Sequence, residues 1–265
     1  MSVSLPEFLV MAPEDRQAYR AEYEREYAKT KADQERKRNT VTVFEPHGFV
    51  RLIKWMGDEL DIVNAARVSF VNESFAMTED DEGLIRYLLK NKHGSPFEQG
   101  FVAHWHIRLP IFVMREWVRH RIGHSVNEES GRYSIMRGDF FEPDHLRVQH
   151  GKPGAYTFER IDDDDMYGEY LDDLAEANQA AWNFYKKWLD KGVAKEQARI
   201  SLPLNLYTEI RWTSNARSLM NFLALRNDTH AMYEIRSYAA ALEGFFNQHM
   251  PTVSQAFNDN GRVAP

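Results

Sequence analysis

The order of helices and strands along this chain is compatible with an α+β fold, and three observations carry that order. Residues 101–109, "FVAHWHIRL", alternate cleanly: Phe101, Ala103, Trp105, Ile107 and Leu109 share one face, while His104, His106 and Arg108 share the other. A period of two marks a strand with one apolar side. Pro110 then opens "PIFVMREWVRHR", which suits a helix with proline in its first turn and Arg and His in its last. Residues 215–249 carry a long helical pattern, so both periods recur in one chain.

The remaining elements follow in order. Residues 13–38 are charged and rich in helix formers, with Pro13 at a first-turn position and Tyr19, Tyr23 and Tyr27 every fourth residue. They predict a solvated helix or flexible arm, so residues 1–40 are expected as an extension and 41–265 as the globular domain. "VTVFE" and "FVRLIKWM" read as strands. "DELDIVNAARVSF" reads as a helix with acidic residues at its start, and "DDEGLIRYLLKNKHGSPFEQ" as one that stops at His93-Gly94. Gly123 ends the helix begun at Pro110, and residues 137–170 read as an acidic loop before a helix over 171–190. Arg226-Asn227-Asp228-Thr229 brings three helix-capping residue types into the 215–249 pattern and predicts a break there. On one unbroken helix Arg217 and Arg226 would point about 180° apart. A break frees Arg226 to face a pocket.

Composition excludes several classes. The 265 residues allow one large domain or two small ones, and the net charge of −7 disfavours a general nucleic-acid or membrane-surface binder. The longest apolar runs, such as "LPIFVM", are too short for a bilayer, and the N-terminus lacks the basic and apolar regions of a signal peptide, so a cytoplasmic protein is expected. There is no cysteine, hence no disulfide, no thiolate metal site and no cysteine nucleophile.

Candidate chemistry lies elsewhere. His104 and His106, two apart on one strand face, could ligate zinc with His93, His120 or His124 as a third ligand, but no metalloprotease-type spacing supports this over ordinary hydrogen-bonded histidines. Ser125-Val126-Asn127-Glu128 fits a helix capping box or the lining of a site. Arg119, Arg121, Arg132, Arg199, Arg217 and Arg226 lie among apolar or small residues rather than in charged runs. An arginine so placed needs an anion, either an internal carboxylate or a phosphate that its planar fork matches. Gly94 and Gly131 sit in neither a dinucleotide-binding nor a P-loop pattern.

The stretches "HGSPFEQ", "PIFVMREWVRHR", "RHRIGHSVNEESGRY", "ARISLPLNLYT" and "WTSNARSLMNFLALRNDTHAMYEIR" together resemble the flavin-dependent thymidylate synthases, in the same order and over roughly residues 45–250. The resemblance implies an α+β fold with a central twisted, mostly antiparallel sheet flanked by helices. It implies conversion of dUMP to dTMP with methylenetetrahydrofolate as carbon donor, FAD as hydride carrier and NADPH as reductant, in a homotetramer with active sites between subunits. By matched position, it places His93 and Ser95 at the flavin, His93 where folate would stack. It gives FAD contacts to Arg119, His120, Arg121, Glu128, Asn215, Arg217 and Asn221. It gives dUMP contacts to Glu116, Arg119, Ser130, Gly131, Arg132 and Arg199, and makes Arg226 the activating arginine at the uracil ring.

The chain departs from the family pattern in four places. Some forty residues precede the family-like core. Eight residues separate Arg121 from Ser130 where many members have seven, which leaves Glu128 and Glu129 as rivals. Gln99 stands where many members have His, and residues 137–170 are longer than usual. Two other readings stay open on the residues alone: a metallohydrolase built on His104, His106 and His120, and a non-enzymatic nucleotide-binding module built on the arginines.

Overall fold

A computed structural model describes residues 13–265, with side-chain surroundings from residue 21 onward except at Tyr23. The readings on residues 1–12 and the side chains of Tyr19 and Tyr23 lie outside the described residues. The chain divides into a unit ending at Thr40 and a second unit, Val41–Pro265. The first contains helix α1 (Pro13–Arg38), exposed throughout its described side chains, Tyr27 included.

The second unit is a mixed helical and antiparallel-sheet domain. Its strands are β1 (Thr40–Thr42), β2 (Phe49–Met56), β3 (Val102–Pro110), β4 (His124–Glu128) and β7 (Tyr207–Asn215), in the sheet order β1-β2-β3-β7-β4. β3 pairs antiparallel with β2 and β7, and β4 pairs antiparallel with β7. The alternation read in β3 holds, since Ala103, Trp105, Ile107 and Leu109 are all buried. Cross-strand partners on that face, Ile210 and Trp212 of β7, are buried with them.

Helices α2 (Glu59–Arg67), α3 (Glu79–Lys90), α4 (Ser95–Gln99), α5 (Ile111–Trp117), α8 (Ala216–Arg226), α9 (Tyr233–His249) and α10 (Pro251–Asp259) supply the rest of the core. Trp117 packs edge-on against Trp212 with ring centroids 5.2 Å apart, and its centroid lies 4.6 Å from that of Phe222. Helix α2 is capped by reciprocal Asp58–Asp61 bonds and α3 by Thr78–Asp81 bonds, which satisfies backbone donors that a helix start otherwise leaves open.

Five sequence expectations need correction. The helix after Pro110 stops at Trp117, so Arg119, His120 and Arg121 lie beyond it rather than in its last turn. Trp117 is the last residue with a core to bury in. The next turn is exposed, so packing gives nothing to prolong the helix. Pro110 itself ends β3 and precedes the helix with extended backbone. Ser125–Glu128 form no capping box: they belong to β4, because the edge of β7 offers backbone groups that only a strand satisfies. Helix α3 ends at Lys90, earlier than His93-Gly94, and Lys92 takes a left-handed turn (φ 59°).

The fifth correction concerns residues 137–170. They contain a hairpin, β5 (Arg147–Lys152) and β6 (Ala155–Arg160), joined at Pro153-Gly154. Helix α6 (Asp164–Asp190) then begins seven residues before the expected 171, with Asp163 accepting a cap bond from the Met166 amide. The segment 195–215, read without a strand, holds a short helix α7 (Lys195–Ala198) and the interior strand β7. The predicted break is present, but it falls after Arg226, so Arg217 and Arg226 share the unbroken helix α8 and, nine residues apart, face opposite ways, Arg217 to Glu98 and Arg226 to Glu116. Asp228 turns the chain by accepting from the His230 backbone amide, and the next helix starts at Tyr233.

Candidate active site

The matched residues gather in three groups. The first is built around Arg226, at the last position of α8. Its Nε donates to Nε2 of His120 (2.8 Å), its Nη1 to the Glu116 carboxylate (3.0 Å) and its Nη2 to the Glu116 carbonyl (3.2 Å). Three bonds in one plane fix the guanidinium, whose side chain is 19% exposed. His120 accepts through a bare ring nitrogen and is therefore neutral. Burial, then the adjacent Arg226 cation and His124, push its pKa down to about 4. Arg119 and Arg121 flank it, exposed and without an ion pair among the described residues.

The second group surrounds a cavity of about 540 Å³ at the end of the sheet where β7 runs into α8. Asn215, Arg217 and Asn221 line it with Glu98, Gly123 and Ser218. Asn215 is the cap of α8: its side-chain oxygen accepts from the Ser218 amide, which leaves the amide nitrogen to donate outward. Arg217 bonds the Glu98 carboxylate and the Pro265 carbonyl oxygen. A Cβ on Gly94 would stand 2.6 Å from Arg217 Nε, so His93 and Ser95 flank a point of close approach to this wall. Both are exposed.

The third group lies at the other end of β4. Ser130 turns the chain, its carbonyl accepting from the Tyr133 and Ser134 amides. Gly131 packs on Arg199, where a Cβ would stand 3.0 Å from Arg199 Cδ. Arg199 is exposed and unpaired among the described residues, whereas Arg132 pairs with Glu196 at 2.9 Å. Of the six arginines singled out in the sequence, three are thus held by internal carboxylates and three are open to an outside anion.

Glu128 and Glu129 have different protein partners. His124, Val126 and Glu128 share the β4 face that carries Trp212 and Ile210 across the ladder. Glu128 accepts from the Thr208 hydroxyl (3.0 Å) and lies in the field of Arg199 and Arg115. Burial raises its pKa against these opposing influences. Glu129 turns away, to Arg137 at 3.2 Å.

Other sequence candidates do not converge. His106 faces the outer side of the sheet, within hydrogen-bond distance of Glu209 and Arg51. His120 is engaged by Arg226 on the first group, and no three His, Asp or Glu side chains cluster as a metal site among the described residues. Gln99 is exposed and ends α4. Sequence reasoning overlooked Glu98, Thr208 and Arg115, although each lies inside one of the quoted motifs: "HGSPFEQ", "ARISLPLNLYT" and "PIFVMREWVRHR". The close approach at Gly94 was visible only as a glycine flanked by polar residues.

The family model described as thymidylate synthase complementing protein matches residues 51–252. A flavin-dependent thymidylate synthase of Kosmotoga olearia is 44% identical over 210 residues, covering 79% of this chain and 90% of that protein. One from Thermus thermophilus is 43% identical over 213 residues, covering 80% and 76%. Among solved structures, a UMP/dUMP methylase, PolB, from Streptomyces cacaoi bound with 5-Br dUMP superposes with a TM-score of 0.77 at 36% identity, covering 85% of this chain and 100% of that one. With a fold, an arginine-centred site and relatives that agree over most of its length, the chain belongs to the Thy1 family, the flavin-dependent thymidylate synthases.

Proposed function

We propose that this chain methylates dUMP to dTMP, taking carbon from methylenetetrahydrofolate, with FAD as hydride carrier and NADPH as reductant. The observation that carries the reading is the immobilised Arg226 guanidinium, beside unpaired Arg119 and Arg121. The donor set suits a flavin dinucleotide. Asn215, Asn221 and Arg217 line one cavity with N–H groups, and Gly94 and Gly123 let the Arg217 side chain and the Ser218 hydroxyl pack close, where a Cβ would collide. When bound, FAD supplies the hydride chemistry that side chains lack.

The chain's own task is binding and electrostatics. Carbon–carbon bond formation at uracil C5 needs electron density pushed into the ring, which leaves negative charge on N3 and the carbonyl oxygens. A guanidinium held in place before the reaction stabilises that charge without having to reorganise. Neutral His120 keeps Arg226 aimed by accepting from Nε, and Glu116 holds the opposite edge. Arg199 and the Ser130–Arg132 turn supply N–H and O–H groups for the nucleotide phosphate. With no cysteine in the chain, attack on C6 by a thiolate is not available.

The test is direct. Protein loaded with FAD absorbs in the visible and, given NADPH and methylenetetrahydrofolate, releases the C5 hydrogen of dUMP as dTMP forms. Arg226→Ala lowers turnover far more than dUMP affinity, by about 2–4 kcal/mol of transition-state stabilisation. Protein that takes up no flavin, or an Arg226→Ala variant that loses only dUMP affinity, overturns the reading.

A further inference from the structure

A second cavity, about 420 Å³, lies between the β5–β6 hairpin and the start of α9. It shares no lining residue with the cavity at Asn215 and Arg217. Its size falls within the range of small-molecule sites, roughly 300–1,000 Å³. Three arginines line it: Arg147 and Arg160 from the hairpin and Arg236 from α9. Three aromatic rings, Tyr156, Phe158 and Tyr233, stand among them.

We propose that this cavity binds a nucleoside phosphate, with the base against the rings and the phosphate on the arginines. Arg147 and Arg160 are direct cross-strand partners in the hairpin register. Like charges placed opposite each other weaken a two-stranded ribbon, which is already marginal on its own. Carboxylates offset this only in part. Arg147 gives one nitrogen to Glu234, and Arg160 gives one to Asp162 at 3.1 Å. Arg236 has no ion pair among the described residues, and its guanidinium lies 5.7 Å from the Tyr233 ring centroid. Neither Glu234 nor Asp162 lines the cavity, so the lining itself is cationic. A bound phosphate satisfies the remaining guanidinium donors and removes the repulsion across the hairpin.

The aromatic component argues for more than a bare anion. Phe158 is 50% exposed and Tyr156 is 37% exposed, on the strand face that carries Arg160. A planar base stacked there covers apolar surface that otherwise faces water. The cavity also touches Thr229, His230 and Ala231, in the turn that leads directly from Arg226 into α9. Occupancy therefore bears on the segment that carries the activating arginine. Two sources share this chemistry: the phosphorylated adenosine end of the NADPH co-substrate, and a free nucleotide acting as effector.

Calorimetric titration of the full chain with adenosine 2′,5′-bisphosphate, after saturation with FAD and dUMP, tests the site. One site per chain is expected, tighter than for adenosine or inorganic pyrophosphate alone. Arg236→Ala and Arg160→Ala should each weaken it about 10-fold or more, and Tyr156→Ala should weaken the nucleotide but not pyrophosphate. Arg160 is a surface residue, so its variant serves if Arg236→Ala misfolds, as judged by circular dichroism. A raised KM for NADPH in these variants, with kcat unchanged, assigns the site to the co-substrate; an unchanged KM with nucleotide binding lost assigns it to an effector. No binding at millimolar concentration, pyrophosphate binding as tightly as the nucleotide, or binding that none of the variants weakens overturns the proposal. The titration reads heat rather than turnover, so it stands or falls apart from the proposed reaction.

Discussion

At the scale of single residues, Gly94 does the most with the least. Its missing Cβ lets Arg217 lie across the turn between α3 and α4, at a distance no other residue type permits. Gly94→Ala should push Arg217 aside and weaken FAD binding about 10-fold, while leaving the core intact because the collision is with a mobile side chain. Flavin titration followed by fluorescence, set against thermal unfolding, separates the two effects; unchanged flavin affinity would refute this role. His124 presents the opposite situation. Its ring stacks on Trp212, and both nitrogens are buried without a partner. Burial holds its pKa down to about 4, as burial, then Arg226 and His124, do for His120. Both folded values lie below the unfolded value near 6.5, so the unfolded chain binds more protons and stability falls as pH drops from about 6.5 to about 4. Because both rings are partly exposed, the loss is about 1 kcal/mol for each rather than the full converted shift. His124→Phe should hold or raise stability at pH 7 and flatten this acid limb, measured by urea unfolding at pH 7 and pH 5. An acid limb as steep as the parent's would count against it.

At the scale of elements, the joint between α2 and α3 decides how the flavin-side turn is held. Asp81, at the third position of α3, is fully buried. Its carboxylate accepts from Arg67 at the end of α2, from the Ser74 hydroxyl (3.0 Å) and from the Thr78 hydroxyl (2.7 Å). Burial alone would raise its pKa, but these bonds outweigh it and hold the group below its usual value. Asp81→Ala should cost about 2–3 kcal/mol, since it leaves the partly buried Arg67 without its carboxylate and removes a helix cap. Chemical denaturation would show this as a lower midpoint at unchanged slope. A loss under 1 kcal/mol would mean that the network is dispensable. The same helix leads into His93 and Ser95, so its stability bears on the cofactor wall.

At the scale of the molecule, β4 separates what the chemistry must unite. Its five residues, rising about 3.4 Å each, put about 14 Å of extended chain between the Arg119–Arg121 segment before it and the Ser130–Arg132 turn after it. On the proposed reaction, one chain presents half of a dUMP site at each end of an edge strand. The homotetramer that the family resemblance implies would unite the two halves in sites between subunits, with an expected solution mass of about 124 kDa, four times 31.0 kDa. Co-expressing Arg226→Ala with Arg132→Ala chains should restore part of the activity that each variant lacks alone, because some hybrid sites draw both intact residues from different chains. Hybrids as inactive as the parents, or a monomeric mass in light scattering, would refute the shared site.

The sequence by itself determined the alternating strand β3, the break after Arg226, the absence of thiol chemistry and, through its motifs, the family. These are local periods or residue types, and they survive folding unchanged. Tertiary structure decided the rest. Ser125–Glu128 became a strand because β7 needed an edge partner, and β7 itself, hidden in "LNLYTEIRWTSN", became an interior strand only by pairing with β3 across a hundred residues. Pairing also placed Glu128 on the β4 face opposite Trp212 and Ile210, since strand parity assigns a face that local sequence leaves open. The hairpin at residues 147–160 lies in the stretch read as an acidic loop, and its two opposed arginines acquired a meaning only when α9 brought Arg236 and Tyr233 beside them.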